Sequence, residues 1–337
     1  MEYAFDVIPG TAIHPLVMAH IPQIVERVHM AYAAHHSQQS VIPVSPFLRF
    51  PHHPRARIIP APAYLGEPFN VAGLKWVASF PDNIQHNVPR ASAVLVLNDP
   101  QTGYPYAVLE GSIISAARTA ASAVLAAQGL RYHDRRVTRL GFLGTGLIAR
   151  YIYTFFHGMD WDIAQVVCSD AQRTYAEQFA AMVRATGQPD VTVYDRAEDV
   201  LRVCDVTVLA TTAATPHIHT EDVLASNPLF LHISLRDLAP NLIGQAQNIV
   251  DDVDHVLQAQ TSVHLAAQTM GHQRFITGTL GAVLAGTCQV TDAAPLVFSP
   301  FGLGILDLAV GKYVYDLARA QGTHRPIPDF FYERTRW

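Results

Sequence analysis

Four charged residues stand in surroundings that do not ordinarily tolerate charge. Lys75 is embedded in the apolar run 71–80 (VAGLKWVASF), Arg49 lies inside PFLRFP, and Arg118 is the only charged member of residues 112–130. An unpaired charge in an apolar setting is costly, so each cation needs a partner or a ligand. A guanidinium grips a carboxylate with two prongs, whereas an ammonium holds it as a point charge. Gathered cations repel one another, so the set points to an anionic ligand with more than one carboxylate. A structural ion pair is the competing explanation for each, as is, for Lys75, a stem reaching solvent from a sheet edge. Arg57 and Arg90 fit the pattern less well. The fourth residue, Asp237, follows the apolar run 229–233 (LFLHI). A carboxylate just past a strand can take a proton or position water. It can also cap its own turn or pair with the adjacent Arg236.

The elements that must position these groups include one with a chemistry of its own. Residues 139–156 read RLGFLGTGLIARYIYTFF. An apolar run ends at Gly144-Thr145-Gly146, and a helical pattern starts at Leu147 and Ile148, which is the strand, glycine turn and helix start of a dinucleotide-binding unit. Gly144 permits the tight turn, Gly146 lets backbone approach a pyrophosphate, and Ala149 lets helix pack on strand. The helix start offers unpaired N–H groups to the anion. A second strand over 164–169 leads to Asp170, 26 positions after Gly144. An acid there accepts hydrogen bonds from the ribose of NAD and repels a 2′-phosphate. Asp170 could instead cap a helix over 171–186, and Arg173 one turn later would suit NADP. Short strands are expected at 191–194 and 206–210. The second runs into Thr211 and Thr212, in a loop of small residues at the sheet end where open α/β sheets bind ligands.

The rest of the chain differs in character. Leu16, Ile21, Ile24, Val28 and Met30 mark residues 14–34 as one amphipathic helix. Six prolines in 43–62 suit short strands joined by turns. Residues 93–98 and 104–109 flank the turn 99–103 as a hairpin, and a helix over 112–129 follows. Asp251, Asp252 and Asp254 read as helix N-terminal charge. The glycines of 299–304 allow close approach to a flat ring or simply cap the apolar helix 304–320. The expected architecture is α/β: a substrate domain from residues 1–130 and 305–337, and a Rossmann domain from 131–304. No flexible linker separates them, so a packed interface with a substrate-holding cleft is expected.

Bulk properties narrow the class. The 337 residues carry a formal charge of −5 and half are hydrophobic, as in a soluble globular protein. A pI near 6.4 argues against a general nucleic-acid binder. Cys168, Cys204 and Cys288 show no metal or redox spacing, which suits buried thiols in a reducing compartment. The 17 histidines show no ligand spacing, so no metal is expected. Arg118 argues against a membrane span at 112–130, and no signal peptide pattern opens the chain. A cytoplasmic location is the expectation.

Together, Gly73-Leu74-Lys75, DPQTGYP at 99–105, ARTAAS at 117–122, the Gly144 turn and Asp237 resemble the ornithine cyclodeaminase/mu-crystallin family. The resemblance implies a Rossmann domain beside an α/β substrate domain that also forms a homodimer interface. It matches the family's lysine, helix arginine and catalytic aspartate to Lys75, Arg118 and Asp237, and its strand arginine to Arg49. KWVASFPDN, PRASA, LEGSIISAARTAAS, HISLRDLAP and SPFGLGILDL are similar to the branch that makes 2,3-diaminopropionate for siderophores or non-ribosomal peptides. That branch uses NAD to oxidise N-(2-amino-2-carboxyethyl)-L-glutamate and hydrolyses the imine to 2-oxoglutarate and L-2,3-diaminopropionate. Ser-Leu-Arg-Asp-Leu-Ala-Pro departs from the glycine-rich aspartate motif of the ornithine cyclodeaminases, which counts against ornithine. The implied roles are carboxylate clamps for Arg49 and Arg118, carboxylate holding or proton tuning for Lys75, and proton transfer for Asp237. Cyclodeamination, reduction of an imine or 2-oxo acid, and ligand binding without turnover are the alternatives.

Overall fold

The computed structural model describes residues 4–187 and 190–333. The chain forms two compact units, one from Met1–Arg118 with Leu303–Trp337 and the other from Thr119–Gly302. The helix Gly111–Leu130 begins in the first and ends in the second. Among the described residues it is the one helix long and apolar enough to cross a membrane, and two-thirds of its apolar window is buried in protein.

The first unit is built on an eight-stranded sheet, counted among the described residues, in the order Arg325–Pro326, Asp6–Ile8, Pro105–Glu110, Ala91–Asn98, Val71–Ser79, His53–Leu65, Ser40–Val41, with Leu48–Phe50 also pairing with His53–Leu65. Pairing is antiparallel except between Asp6–Ile8 and Pro105–Glu110. The proline-rich stretch differs from the short strands expected of it, because His53–Leu65 is one 13-residue strand. Its outer edge is paired up to Ile58 and again from Tyr64. Pro60 and Pro62 fall in the gap between, where a missing N–H breaks no ladder. The single helix expected over 14–34 is also corrected. Gly10–Ala19 and Ile21–His36 are separate helices that meet at His20, which has non-helical torsions (φ −129°, ψ 33°). Pro22 has no N–H to continue the helical ladder, so the chain restarts with proline in the first turn.

The helix Gly304–Ala320 packs across the strands His53–Leu65, Val71–Ser79 and Ala91–Asn98 and against Ile21–His36. Gly73 makes the close approach possible. A Cβ there would lie 2.3 Å from the Val96 carbonyl and 2.7 Å from Leu308 Cδ2. That proximity brings Asp307, next to Leu308, down onto the face of the strand that carries Lys75.

The second unit carries an all-parallel eight-stranded sheet, counted among the described residues, in the order Asp190–Val193, Asp162–Ser169, Arg136–Leu143, Val206–Leu209, Leu229–His232, Leu296–Ser299, Gln247–Val250, Ile276–Thr279. The strands read as near-continuous apolar runs because helices cover both faces of such sheets. Strand order reverses beside Arg136–Leu143, the place where open α/β sheets bind ligands at their carboxyl ends.

Candidate active site

Lys75 and Arg118 come together in the first unit around a carboxylate. Lys75 Nζ donates to Asp307 Oδ2 at 2.6 Å, and Arg118 Nε lies 3.5 Å from Asp307 Oδ1. Ser115 Oγ takes a bond from each cation, at 3.4 Å from Lys75 and 3.3 Å from Arg118. Asp307 is fully buried and Lys75 nearly so. Ser115 and Arg118 are one turn apart on Gly111–Leu130, so one helix face meets the strand lysine. Burial lowers the Lys75 ammonium to about 8, opposed by Asp307 and reinforced by Arg118. Two cations on one carboxylate leave a single net positive charge. Asp307, in the first turn of an apolar helix, escaped the sequence reading because an acid is ordinary there. Arg49 is exposed, and its guanidinium lies over the Phe47 ring at 5.4 Å. Arg57, its register partner, flanks the same ring at 5.8 Å.

In the second unit Gly144 has φ +78°, and a Cβ there would sit 2.7 Å from the Ala210 carbonyl. The turn is pressed against the neighbouring strand end, so only glycine fits. A Cβ on Gly146 would meet nothing within 4 Å. Gly146 is the N-cap of Leu147–Gly158 and no side chain caps the helix start. The turn therefore presents open space and uncapped amides, the fit a pyrophosphate needs. Thr145 is buried, Leu147 exposed and Ile148 half-buried. Asp170 does not cap the following helix, whose N-cap is Gln172. Its Oδ2 accepts from Thr145 N at 2.8 Å and Thr145 Oγ1 at 3.0 Å, and its Oδ1 from Gln172 N at 3.0 Å. Asp170 thus braces the glycine turn. Arg173 is drawn aside by Asp195 and Glu177.

Asp237 is fully buried at the end of the loop after Leu229–His232. Its Oδ1 accepts from Thr211 Oγ1 and from His217 Nε2, the latter at 3.0 Å, and its Oδ2 accepts from Ser234 Oγ. Its own N–H donates to His232 Nε2 at 3.1 Å. An acceptor Nε2 puts the His232 proton on Nδ1, which donates to Ser299 Oγ at 3.2 Å. Burial pushes His232 down to about 4, so it stays neutral. His217 moves the other way: its hydrogen bond to Asp237 raises it. Arg236 does not pair with Asp237 but donates to the carbonyls of Ala259 and Gln260. Thr211 is engaged with Asp237, and Thr212 is exposed. The sequence reading missed His217 and His232. A histidine ending the buried strand LFLH was a visible signal; one loop histidine among 17 was not. Asp251 and Asp252 divide the roles in their acidic run. Asp252 caps Val253–Val256, while buried Asp251 accepts from Phe301 N at 2.9 Å and Gly302 N at 2.6 Å and pins that loop. Among the described residues no group of three or more His, Cys, Asp or Glu could hold a metal ion.

Comparison with known proteins extends this picture. The ornithine cyclodeaminase/mu-crystallin family model matches residues 17–322. The N-((2S)-2-amino-2-carboxyethyl)-L-glutamate dehydrogenase of Staphylococcus aureus is 27% identical over 317 residues, 90% of this chain and 92% of the relative. The Thermococcus litoralis Δ1-pyrroline-2-carboxylate reductase, solved with NADH and L-proline, superposes with TM-score 0.88 at 22% identity, over 96% of this chain and 100% of the other. An archaeal alanine dehydrogenase dimer with bound NAD superposes with TM-score 0.86 at 25% identity, over 97% and 100%. With a family model spanning nearly its whole length, the chain belongs to the ornithine cyclodeaminase/mu-crystallin family.

Proposed function

We propose that this protein is an NAD-dependent dehydrogenase that oxidises the glutamate Cα–N bond of N-(2-amino-2-carboxyethyl)-L-glutamate and hydrolyses the product to 2-oxoglutarate and L-2,3-diaminopropionate. What supports this is a net-positive Lys75–Arg118–Asp307 cluster in the first unit and a buried, hydrogen-bonded Asp237 in the second, in a chain similar to an enzyme of that activity over nine-tenths of its length. Gly144, Thr145, Gly146, Leu147 and Ile148 would hold the pyrophosphate, and Asp170 the adenosine ribose. Bound nicotinamide supplies the hydride acceptor.

The chain's residues supply the rest. Lys75 and Arg118 fix one substrate carboxylate, and Arg49 is proposed to hold another. Fixing the carboxylates removes rotational freedom from the reacting carbon, the main gain from positioning. The amine proton leaves to the hydrogen-bonded network around Asp237 as the C–H bond breaks. Water then adds to the iminium carbon, a proton leaves that water, and the C–N bond breaks to give keto acid and amine. A homodimer in the cytoplasm is part of the reading. The dimer is supported by exposed Val41, Val44, Leu48, Trp76 and Val94 on the first unit's sheet and its edge.

The single net positive charge of the buried cluster favours one alternative, reduction of a cyclic imino acid with one carboxylate. Product analysis separates the two. Incubation with NAD and the glutamate adduct is expected to yield reduced nicotinamide, 2-oxoglutarate and diaminopropionate in equal amounts. Reduction of Δ1-pyrroline-2-carboxylate with no turnover of the adduct would favour the alternative, and binding without either reaction would favour a non-catalytic protein.

A further inference from the structure

We propose that His217 is the group that exchanges protons with the substrate, and that Asp237 is its positioning partner. The inference rests on the amine-oxidising role just proposed and assigns the proton to a specific atom, Nδ1 of His217. Asp237 is poorly placed to carry the proton itself. It is fully buried, and Thr211, Ser234 and His217 donate to its two oxygens. With no exposed surface of its own, it meets solvent only through the partner on its Oδ1, His217. His217 has the complementary properties. Its side chain is 41% exposed, and its Nε2–H points at the carboxylate. Nδ1 is then the lone-pair nitrogen.

The dyad is a built feature. The N–H groups of His217 and Ile218 both donate to the Asp237 carbonyl at 3.0 Å, and Ile218 bridges to Leu238. These bonds fix the segment that carries His217 against the one that carries Asp237. His232 and Ser299 then hold the Asp237 backbone from beneath. A proton leaving the substrate amine or the attacking water passes to Nδ1, giving an imidazolium 3.0 Å from a carboxylate, and returns to solvent from the exposed ring. No electrons move in this step. The charged or titratable groups facing His217 are Asp237, Glu198 on the helix Ala197–Val203, and buried His232. The hydrogen bond to Asp237 holds the imidazolium above the ordinary histidine range.

The test uses the full chain in two arms. In the first, the histidine ring signals of the cofactor-free protein are titrated by NMR. His217 is expected to titrate above 6.5 and to move down in Asp237→Asn. Titration at or below 6.5, or no response to that variant, overturns the dyad whatever the substrate is. In the second, kcat/KM is measured against pH with NAD and the glutamate adduct, or with the cyclic imino acid if only that is turned over. The wild type is expected to show an acid limb above 6.5. His217→Gln, which keeps a donor for Asp237, is expected to lose the limb and about 10²–10⁴-fold in rate, with NAD affinity unchanged and partial rescue of His217→Ala by imidazole. A His217→Gln enzyme within about threefold of wild type, with its limb intact, refutes the assignment. If neither substrate turns over, the reaction proposed above fails, and the NMR arm still decides the dyad.

Discussion

Replacing Asp307 by asparagine removes the carboxylate that Lys75 and Arg118 share and leaves both cations facing a neutral amide. Asp307 is fully buried and meets Lys75 at 2.6 Å. Charge centres roughly 3 Å apart at an effective dielectric near 20 interact by about 5 kcal/mol, and stripping one partner from a buried pair costs ~3–5 kcal/mol. Lys75 can limit that loss by shedding its proton. Its ammonium already sits at about 8 because of burial, and losing Asp307 lowers it further. A lysine whose folded value lies below its unfolded one destabilises the fold at low pH, and the penalty is relieved as pH rises from the folded value towards the unfolded one. The Asp307→Asn deficit is therefore expected to be largest near pH 6. It should narrow by about 1.4 kcal/mol per pH unit once the variant's Lys75 starts to deprotonate. It should stop narrowing near pH 8, where the wild-type lysine is neutral as well. Urea unfolding of both proteins between pH 6 and pH 9 reads this directly, with circular dichroism confirming that the variant is folded before denaturant is added. A deficit under about 1 kcal/mol at pH 6, or one that does not change with pH, would show that Asp307 does not hold the Lys75 ammonium in the fold.

Other perturbations test the second unit. Gly144→Ala forces a side chain into φ +78°, 2.7 Å from a carbonyl; the left-handed conformation alone costs ~1–2 kcal/mol. Calorimetry should show NAD affinity falling about tenfold or more, and unchanged affinity would contradict the role of the turn. Asp170→Asn removes a charge and disturbs the brace on Thr145, so the kcat/KM preference for NAD over NADP is expected to fall about tenfold; an unaltered ratio would count against Asp170 as the ribose residue. Buried His232, held near 4, costs stability as pH falls below the unfolded histidine value of ~6.5, by about 1.4 kcal/mol per unit. His232→Gln should flatten that part of the urea-stability profile, and a slope equal to wild type would show that His232 is not the titrating group.

Local features were the most legible. The apolar run into Gly144-Thr145-Gly146 is a strand and turn because neighbours in sequence decide both, and the strands at Val71–Ser79 and Ala91–Asn98 follow from short-range pattern. Lys75 and Arg118 could be recognised as misplaced charges, but their shared partner could not: Asp307 lies 232 residues from Lys75 and is brought to it by a helix seated over Gly73. Proline bias misled at His53–Leu65, since the gap that tolerates Pro60 and Pro62 exists only in the paired sheet. The break at His20 was the reverse case. Pro22 was in view, yet the apolar periodicity runs through it and hides the restart. Asp170 is bound to Thr145, a contact that spacing alone does not reveal.

In the proposed reaction, hydride leaves the glutamate α-carbon of a bis-amino-acid secondary amine. The most direct measurement is turnover of N-(2-amino-2-carboxyethyl)-L-glutamate deuterated at that carbon, followed by mass spectrometry of the nicotinamide. One deuterium is expected on the reduced ring, with 2-oxoglutarate released in equal amount. Reduced nicotinamide without deuterium, or labelled substrate recovered intact while a cyclic imino acid is reduced, would contradict it.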